Sequence, residues 1–114
     1  MQFSDFESHL ATTGYPTEKR RGNKGGEYLV IRNVTISGGT QDGRSCDVGI
    51  LRTDGNPWVP QAALHVCPQL VTMGQAASQA SELGPDWQYL SRRYGRAATP
   101  REFFTHILTV LGQL

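Results

Sequence analysis

The sequence has little of what marks the specialised classes of small protein. It contains two cysteines, Cys46 and Cys67, and neither a Cys-x-x-Cys pair nor a His-x-x-x-His pair, so no common zinc motif is present. Its apolar runs fall far short of the roughly 18 residues that a membrane-spanning helix requires. The first residues form neither a basic leader nor an apolar run, which predicts no secretory signal. We therefore expect a cytoplasmic protein with free thiols and with no metal or cofactor.

A strong excess of charge of one sign is also missing. Eleven basic and ten acidic residues give a net charge of +1, which argues against a dedicated nucleic-acid or membrane-surface protein. Two basic clusters remain, Lys19-Arg20-Arg21 with Lys24, and Arg92-Arg93 with Arg96. Aromatic residues around the second cluster are compatible with base stacking, but with so small a net charge we favour solvated arginines beside packed aromatic rings.

Motifs for phosphate binding and for serine hydrolysis are absent as well. The paired glycines Gly25-Gly26 and Gly38-Gly39 lack the Gly-Lys-Ser/Thr and Gly-x-Gly-x-x-Gly patterns. No serine stands in a Gly-x-Ser-x-Gly elbow. The glycines are interpreted as turn residues.

The patterns that are present predict one α+β domain over residues 1–114. Ser4-Asp5-Phe6-Glu7 is typical of a capping box and opens a short helix over residues 4–13, which Gly14 ends. Residues 27–37 read as a strand, with Tyr28, Val30, Val34 and Ile36 at period two on one face. The glycine-rich residues 38–43 predict a hairpin to a second strand over 45–53.

The second half of the chain continues the α+β pattern. Residues 62–67 predict a third strand, or a third and a fourth with a kink, while residues 69–83 read as an irregular segment. Thr99-Pro100-Arg101-Glu102 combines an N-cap, a first-turn proline and a capping-box glutamate, and it opens a C-terminal helix with a broad apolar stripe. We expect an antiparallel meander of three to four strands with this helix packed on the sheet.

The same periodicities predict which residues form the core. We expect burial of Phe6, Leu10, Val30, Val34, Ile36, Val48, Ile50, Leu64, Val66, Phe103, Ile107 and Leu111.

The segment His65-Val66-Cys67-Pro68 is the candidate catalytic site. On a strand, His65 and Cys67 project to the same side, about two rises of ~3.3 Å apart, which permits an activated thiolate. The same spacing suits an ordinary buried pair, and burial of the cysteine is the interpretation that we favour. A zinc site built with Cys46 and His106 would need four ligands from distant segments, so no metal site is predicted.

Three short motifs give the chain a family resemblance. Asn56-Pro57-Trp58-Val59-Pro60 is similar to the proline turn of the ubiquitin-conjugating (UBC-like) superfamily. Trp87-Gln88-Tyr89-Leu90-Ser91-Arg92 before the last helix looks like a Trp-Gln-x-x-Ser-Arg-His run in a bacterial branch of that superfamily, and residues 65–70 resemble its x-Pro-x-Leu strand end. The resemblance spans most of the chain and implies a UBC-like fold.

The chain also departs from that family's catalytic pattern. It has no His-Pro-Asn triplet, Cys67 comes too early for the catalytic cysteine, and Arg93 stands where the bacterial branch has histidine. The resemblance therefore implies a non-catalytic domain that binds a ubiquitin-like protein or its activating enzyme in a bacterial conjugation pathway, some of which are linked to phage defence. The binding residues that we infer from it are Pro57, Trp58, Pro60, Trp87, Ser91, Arg92 and Arg93.

Two alternatives stay open at the level of the sequence. One is an active, thioester-forming conjugating enzyme with Cys67 as nucleophile and His65 or His106 nearby. The other is an unrelated α+β interaction module, such as an immunity protein or a small chaperone.

Overall fold

The computed structural model describes residues 1–53, 55, 58, 63–75, 77–92 and 99–114. These residues form two helices and six strands. In chain order they are α1 (Phe3–Thr13), β1 (Thr17–Arg21), β2 (Glu27–Thr35), β3 (Ser45–Leu51), β4 (Ala63–Cys67), β5 (Ser78–Ser81), β6 (Gly84–Ser91) and α2 (Pro100–Gly112).

All six strands belong to one antiparallel sheet in the order β1-β2-β3-β4-β6-β5. The first four strands form a meander, and the β5–β6 hairpin then returns so that β6 lies beside β4. The α+β class is confirmed. No helix in the described part of the chain is both long and apolar enough to cross a membrane.

The sheet contains three strands that the sequence did not predict as strands. β1 contains the basic cluster Lys19-Arg20-Arg21, for which no strand was predicted, and it lies at an edge where four of its five residues are exposed, so it lacks apolar alternation. β5 is four residues long, mostly polar and also at an edge. β6 places Gln88 at a fully buried position, which breaks the pattern of a half-buried strand.

The predicted N-terminal cap is present in α2 but not in α1. Thr99 accepts the Glu102 backbone N–H at the start of α2, as predicted. At α1 the predicted Ser4–Glu7 box is wrong: the helix starts earlier, and the Asp5 carboxylate accepts the Gln2 N–H at 2.6 Å. The earlier start places Phe3 against the Trp58 ring, with the ring centroids 4.8 Å apart.

One face of the sheet packs against both helices and holds the main core. The twelve residues predicted to be buried are all buried. At this face Phe6 lies 4.8 Å from Phe103, centroid to centroid, which joins α1 to α2. The prediction that the C-terminal helix packs on the sheet is confirmed, since α2 residues share this core with β2, β3 and β4.

A bulge in β2 corrects the predicted face of that strand. The register with β3 shifts between Ile31 and Val34, and Asn33 adopts a φ of 54°, a left-handed conformation that asparagine tolerates well. As a result Tyr28 and Val30 face away from the helices, whereas Val34 and Ile36 face the main core. The period-two pattern of residues 28–36 therefore does not mark a single face, because the strand changes face between Ile31 and Val34.

Candidate functional site

The face of the sheet opposite the helices, which we call the outer face, carries a second apolar cluster. This outer cluster consists of Tyr28, Val30, Leu83 and Trp87, with Leu51 and Cys67 packed at its margin. Leu83 reaches it because the β5–β6 turn folds back over the sheet. The Arg20 guanidinium fixes that turn, since it donates to the Leu83 carbonyl at 2.9 Å and lies 5.4 Å from the Trp87 ring centroid.

Glycines make room for this folded-back turn. A Cβ on Gly49 would lie 2.8 Å from Leu83 Cδ1, and a Cβ on Gly26 would lie 2.8 Å from Glu82 Oε2. A Cβ on Gly22 would overlap the Glu82 carboxyl group outright. The three glycines are therefore positions of close approach, and turn conformation alone does not explain them.

The Glu82 carboxylate closes the outer face against the β1–β2 loop. It accepts the Tyr28 hydroxyl at 2.7 Å, the Lys24 N–H at 2.9 Å and the Gly26 N–H at 3.3 Å. The Asn23 N–H donates to the Glu82 carbonyl at 2.9 Å. The bond from Tyr28 and the two backbone bonds hold the pKa of Glu82 below its ordinary value. Burial and the neighbouring Glu82 raise the pKa of the Tyr28 hydroxyl.

His65 lies beneath this turn and is 6% exposed. Its ring sits between Tyr28 and Tyr89, with centroids 4.8 Å and 5.2 Å away. Burial lowers the pKa of His65 to about 4, so the ring is neutral at pH 7.

The Ser81 hydroxyl lies 2.7 Å from His65 Nδ1, a contact of the kind found in serine–histidine catalytic pairs. However, a catalytic histidine must accept a proton, and burial makes the charged ring costly here. Ser81 Oγ also accepts the Leu83 N–H at 3.1 Å, which ties it to the turn. The arrangement is that of a bonded structural pair that links β4 to β5.

The cysteines also lack the electrostatics of a nucleophile. Cys67 shares the outer side of β4 with His65, as the sequence predicted, and it is half-buried. Burial, followed by the charge of Asp47, raises its thiol pKa, the opposite of what an activated thiolate needs. Cys46 lies in the main core, where burial raises its pKa to about 12.

Metal-ligating side chains do not gather anywhere in the described part of the chain. No group of three or more His, Cys, Asp or Glu residues there is arranged to hold an ion. His106 belongs to α2, whereas Cys46 and Cys67 belong to β3 and β4, and the described residues form no zinc site from them.

The two tryptophans predicted to bind a partner are both buried. Trp58 is 2% exposed in the main core, where it contacts Phe3, Phe6 and Phe103, and its indole N–H donates to Thr53 Oγ1. Trp87 is 3% exposed on the opposite side of the sheet. Their rings therefore offer almost no surface to a partner, and the structure does not bring them together.

The other predicted binding residues are dispersed or lie outside the described residues. Ser91 is exposed at the end of β6, and the adjacent Arg92 donates to the Ser91 carbonyl at 2.7 Å. Ser91 pairs with Ala63, at the end of β4 opposite to Cys67. Pro57, Pro60 and Arg93 lie outside the residues that the structure describes.

A cleft of about 320 Å³ opens at the edge of the sheet, beside the start of α1. Its lining comprises Phe3, Glu7, Lys19, Arg20, Arg21, Glu27, Tyr28, Leu29 and Arg52. The Arg20 side chain turns to the outer face, so the charged side chains of this edge cleft are three basic ones (Lys19, Arg21, Arg52) and two acidic ones (Glu7, Glu27), a net charge of +1 beside the apolar residues Phe3 and Leu29. It is therefore suited to an anionic group.

One ion pair of the edge cleft is open to solvent, and a second is partly buried. Arg21 pairs with Glu27 at 3.1 Å with side chains 70% and 62% exposed, and Arg52 pairs with Glu7 at 3.2 Å. Lys19 makes no ion pair with another residue of the described ranges. An exposed pair such as Arg21–Glu27 contributes about 0–1 kcal/mol.

The basic cluster at residues 19–24 is visible in the sequence, but the position of Lys19, Arg20 and Arg21 on a strand was not predicted. Glu82, which has no motif around it, was missed as well. The close approaches at Gly22, Gly26 and Gly49 were not predicted either, because the first two flank a turn and a glycine there has an ordinary explanation. No family model, curated protein or solved structure matches the chain.

Proposed function

We propose that this chain is a non-catalytic protein-binding domain that recognises its partner through the edge cleft. The observation that carries the proposal is the solvated, net positive lining of that cleft at the edge strand β1. The non-catalytic part of the proposal is supported by the side chains with catalytic potential. His65 and Ser81 are bonded to each other, and the thiol of Cys67 has a raised pKa.

The family resemblance makes the proposal narrower. It assigns the domain to a bacterial ubiquitin-like conjugation pathway in the cytoplasm, with a ubiquitin-like protein or its activating enzyme as the partner. The β1–β4 meander between an N-terminal and a C-terminal helix supports this assignment. The β5–β6 hairpin, which places β6 beside β4, favours instead an unrelated α+β interaction module.

Calorimetric titration of the full chain with purified ubiquitin-like proteins and activating enzymes of its source organism tests the binding function. We expect measurable affinity that falls at least about tenfold in Lys19→Glu with Arg21→Glu, since two attractive charges become repulsive. Arg101→Glu, an exposed charge reversal in the first turn of α2, is the matched control and should bind as the wild type does. Equal binding by all three proteins would exclude the edge cleft as the site.

Thiol reactivity tests the enzymatic alternative. We expect Cys67 to react slowly with iodoacetamide at pH 7, with an apparent pKa above the ~8.5 of a free thiol, and Cys46 to react only on unfolding. Mass spectrometry of the native protein across pH gives both values. A fast Cys67 together with an ATP-dependent thioester that Cys67→Ala abolishes and Cys46→Ala retains would establish the conjugating enzyme.

A further inference from the structure

The free edge of β1 presents a regular set of backbone groups. The Pro16 carbonyl accepts the Arg32 N–H, and the Gly22 N–H donates to the Gly26 carbonyl. Because hydrogen-bonding direction alternates along an antiparallel strand, Glu18 and Arg20 also point their backbone groups at β2. The N–H and C=O groups of Thr17, Lys19 and Arg21 therefore point away from the sheet.

The side chains of the same three residues lie on the helix side of the sheet. Lys19 is paired with Leu29, a residue of the main core, and side chains of paired residues share a face. Arg20, one residue on, lies over Trp87 on the outer face. Lys19 and Arg21 thus combine outward backbone groups with cationic side chains in the edge cleft.

We propose that an extended acidic segment of the partner pairs antiparallel with β1 as a seventh strand. In this arrangement, residues opposite Lys19 and Arg21 exchange both backbone bonds with them and place their own side chains in the edge cleft. An acidic residue at every second position satisfies both requirements. The proposal rests on the proposed binding function and identifies the chemistry of the bound segment.

Charged residues on an edge strand also occur simply to prevent sheet-to-sheet pairing. The two edges of this sheet argue against that explanation. The opposite edge, β5, carries no charged residue in Ser78-Gln79-Ala80-Ser81, whereas β1 carries four in five positions. Beside β1 the charged residues also line a cleft together with the apolar residues Phe3 and Leu29, and protection of the edge does not require such a cleft.

Synthetic peptides with glutamate at alternate positions and threonine or valine between them test the pairing. We expect binding by fluorescence anisotropy, and loss of binding in the matched lysine peptide. In the proposed register the glutamate N–H groups face β1, so N-methylation of the glutamates should weaken binding at least about tenfold, which is one lost hydrogen bond or more. N-methylation of the intervening residues should change affinity less than about twofold.

A pair of protein variants separates backbone pairing from charge. Lys19→Gln and Lys19→Pro both remove the cation, but only proline removes the outward N–H, and proline is tolerated where the N–H of an edge strand faces solvent. We expect Lys19→Pro to bind the acidic peptide at least about tenfold more weakly than Lys19→Gln. Circular dichroism and urea unfolding should show that both variants are folded.

Equal affinity of these two variants, or equal effects of the two N-methylation patterns, would overturn strand addition. If a ubiquitin-like protein or activating enzyme still binds in that case, the binding function stands and only its strand-pairing mode is wrong. If no protein partner binds while the acidic peptide shows the predicted pattern, the seventh strand stands and the pathway assignment falls.

Discussion

The outer face and the edge cleft use carboxylates in opposite ways. Glu82 on the outer face accepts a tyrosine hydroxyl and two backbone N–H groups, and a glycine at position 22 leaves space for it. The Glu27 carboxylate in the edge cleft bonds to a single side chain of the described residues, that of Arg21, and the Glu27 side chain is 62% exposed. The first arrangement holds two parts of the fold together, while the second leaves its charges available to another molecule.

The comparison shows that residue type alone does not reveal which side chains of this chain are open to another molecule. The outer face holds His65, the half-buried Cys67 and Trp87, and their contacts are with other residues of the chain. The edge cleft, by contrast, is lined by the exposed side chains of Lys19 and Arg21 on the edge strand β1. Substitutions at five residues test this contrast, and the effects expected of them on stability decrease in the order given.

The largest effect is expected at Trp87. Replacement of this ring, 3% exposed, by alanine should lower the free energy of unfolding by about 3–5 kcal/mol, because it leaves a cavity beneath Arg20 and Leu83. Urea unfolding followed by circular dichroism gives the value. A loss below about 1 kcal/mol would mean that the outer cluster is not packed as described and that Trp87 is available to a partner.

His65 should make stability depend on pH. Its pKa is about 4 in the folded chain and near 6.5 when unfolded, so between these values the unfolded chain binds more protons. Stability should therefore fall as pH is lowered from about 6.5 to 4. The fall should be shallower in His65→Asn, in which the side-chain amide can bond to the Ser81 hydroxyl in place of Nδ1.

The measurement for His65 is the urea midpoint at several pH values, made in a His106→Gln background because burial also lowers the pKa of His106. Identical slopes for the histidine and asparagine proteins would show that His65 is solvated in the native state.

The same substitution at two glutamates compares the two regions directly. Glu82→Gln should destabilise the fold by about 1–2 kcal/mol, since it weakens charge-assisted bonds to Tyr28, Lys24 and Gly26. Glu27→Gln should change stability by about 0.5 kcal/mol or less.

The pH dependence gives a second signature of Glu82. Its folded pKa is lowered, so its contribution is present above the unfolded value near 4.5 and is lost as pH falls through the folded value. Glu82→Gln should lack this acid-side loss, which unfolding midpoints below pH 4.5 measure. If Glu82→Gln and Glu27→Gln changed the free energy of unfolding equally, the outer face would be no more tightly bonded than the edge cleft.

The smallest effect on stability is expected in the edge cleft itself. Lys19→Gln should leave the free energy of unfolding within about 0.5 kcal/mol of the wild-type value, because the side chain is exposed and makes no ion pair among the described residues. Denaturant titration checks this. A larger loss would indicate that Lys19 stabilises the fold, and its role in binding would then need another explanation.

The sequence predicted well what depends on apolar periodicity. The buried faces of α1, α2, β3 and β4 followed from spacing, because each of these elements has one face toward the main core. β1 and β5 escaped prediction because an exposed edge strand imposes no apolar alternation. The change of face in β2 depends on Asn33 in a left-handed conformation, for which the surrounding residues give no signal.

The candidate site was less predictable than the fold. His65 and Cys67 were correctly placed on one side of a strand, but their burial depends on Leu83, which arrives from a turn 16 or more residues away. The edge cleft needs α1 and β1 to meet, a tertiary arrangement that local patterns do not encode. The basic cluster was visible in the sequence, whereas the outward direction of its backbone groups was not.

Residue-resolved hydrogen–deuterium exchange of the free protein tests most directly the claim that the outer face is closed while the β1 edge is open. The Lys24 and Gly26 amides, which donate to Glu82, should exchange slowly, and the Lys19 and Arg21 amides, which point away from the sheet, should exchange fast. Addition of the acidic peptide should then slow the Lys19 and Arg21 amides and leave the Lys24 and Gly26 amides unchanged. Slow exchange at Lys19 and Arg21 in the free protein, with fast exchange at Lys24 and Gly26, would contradict the account.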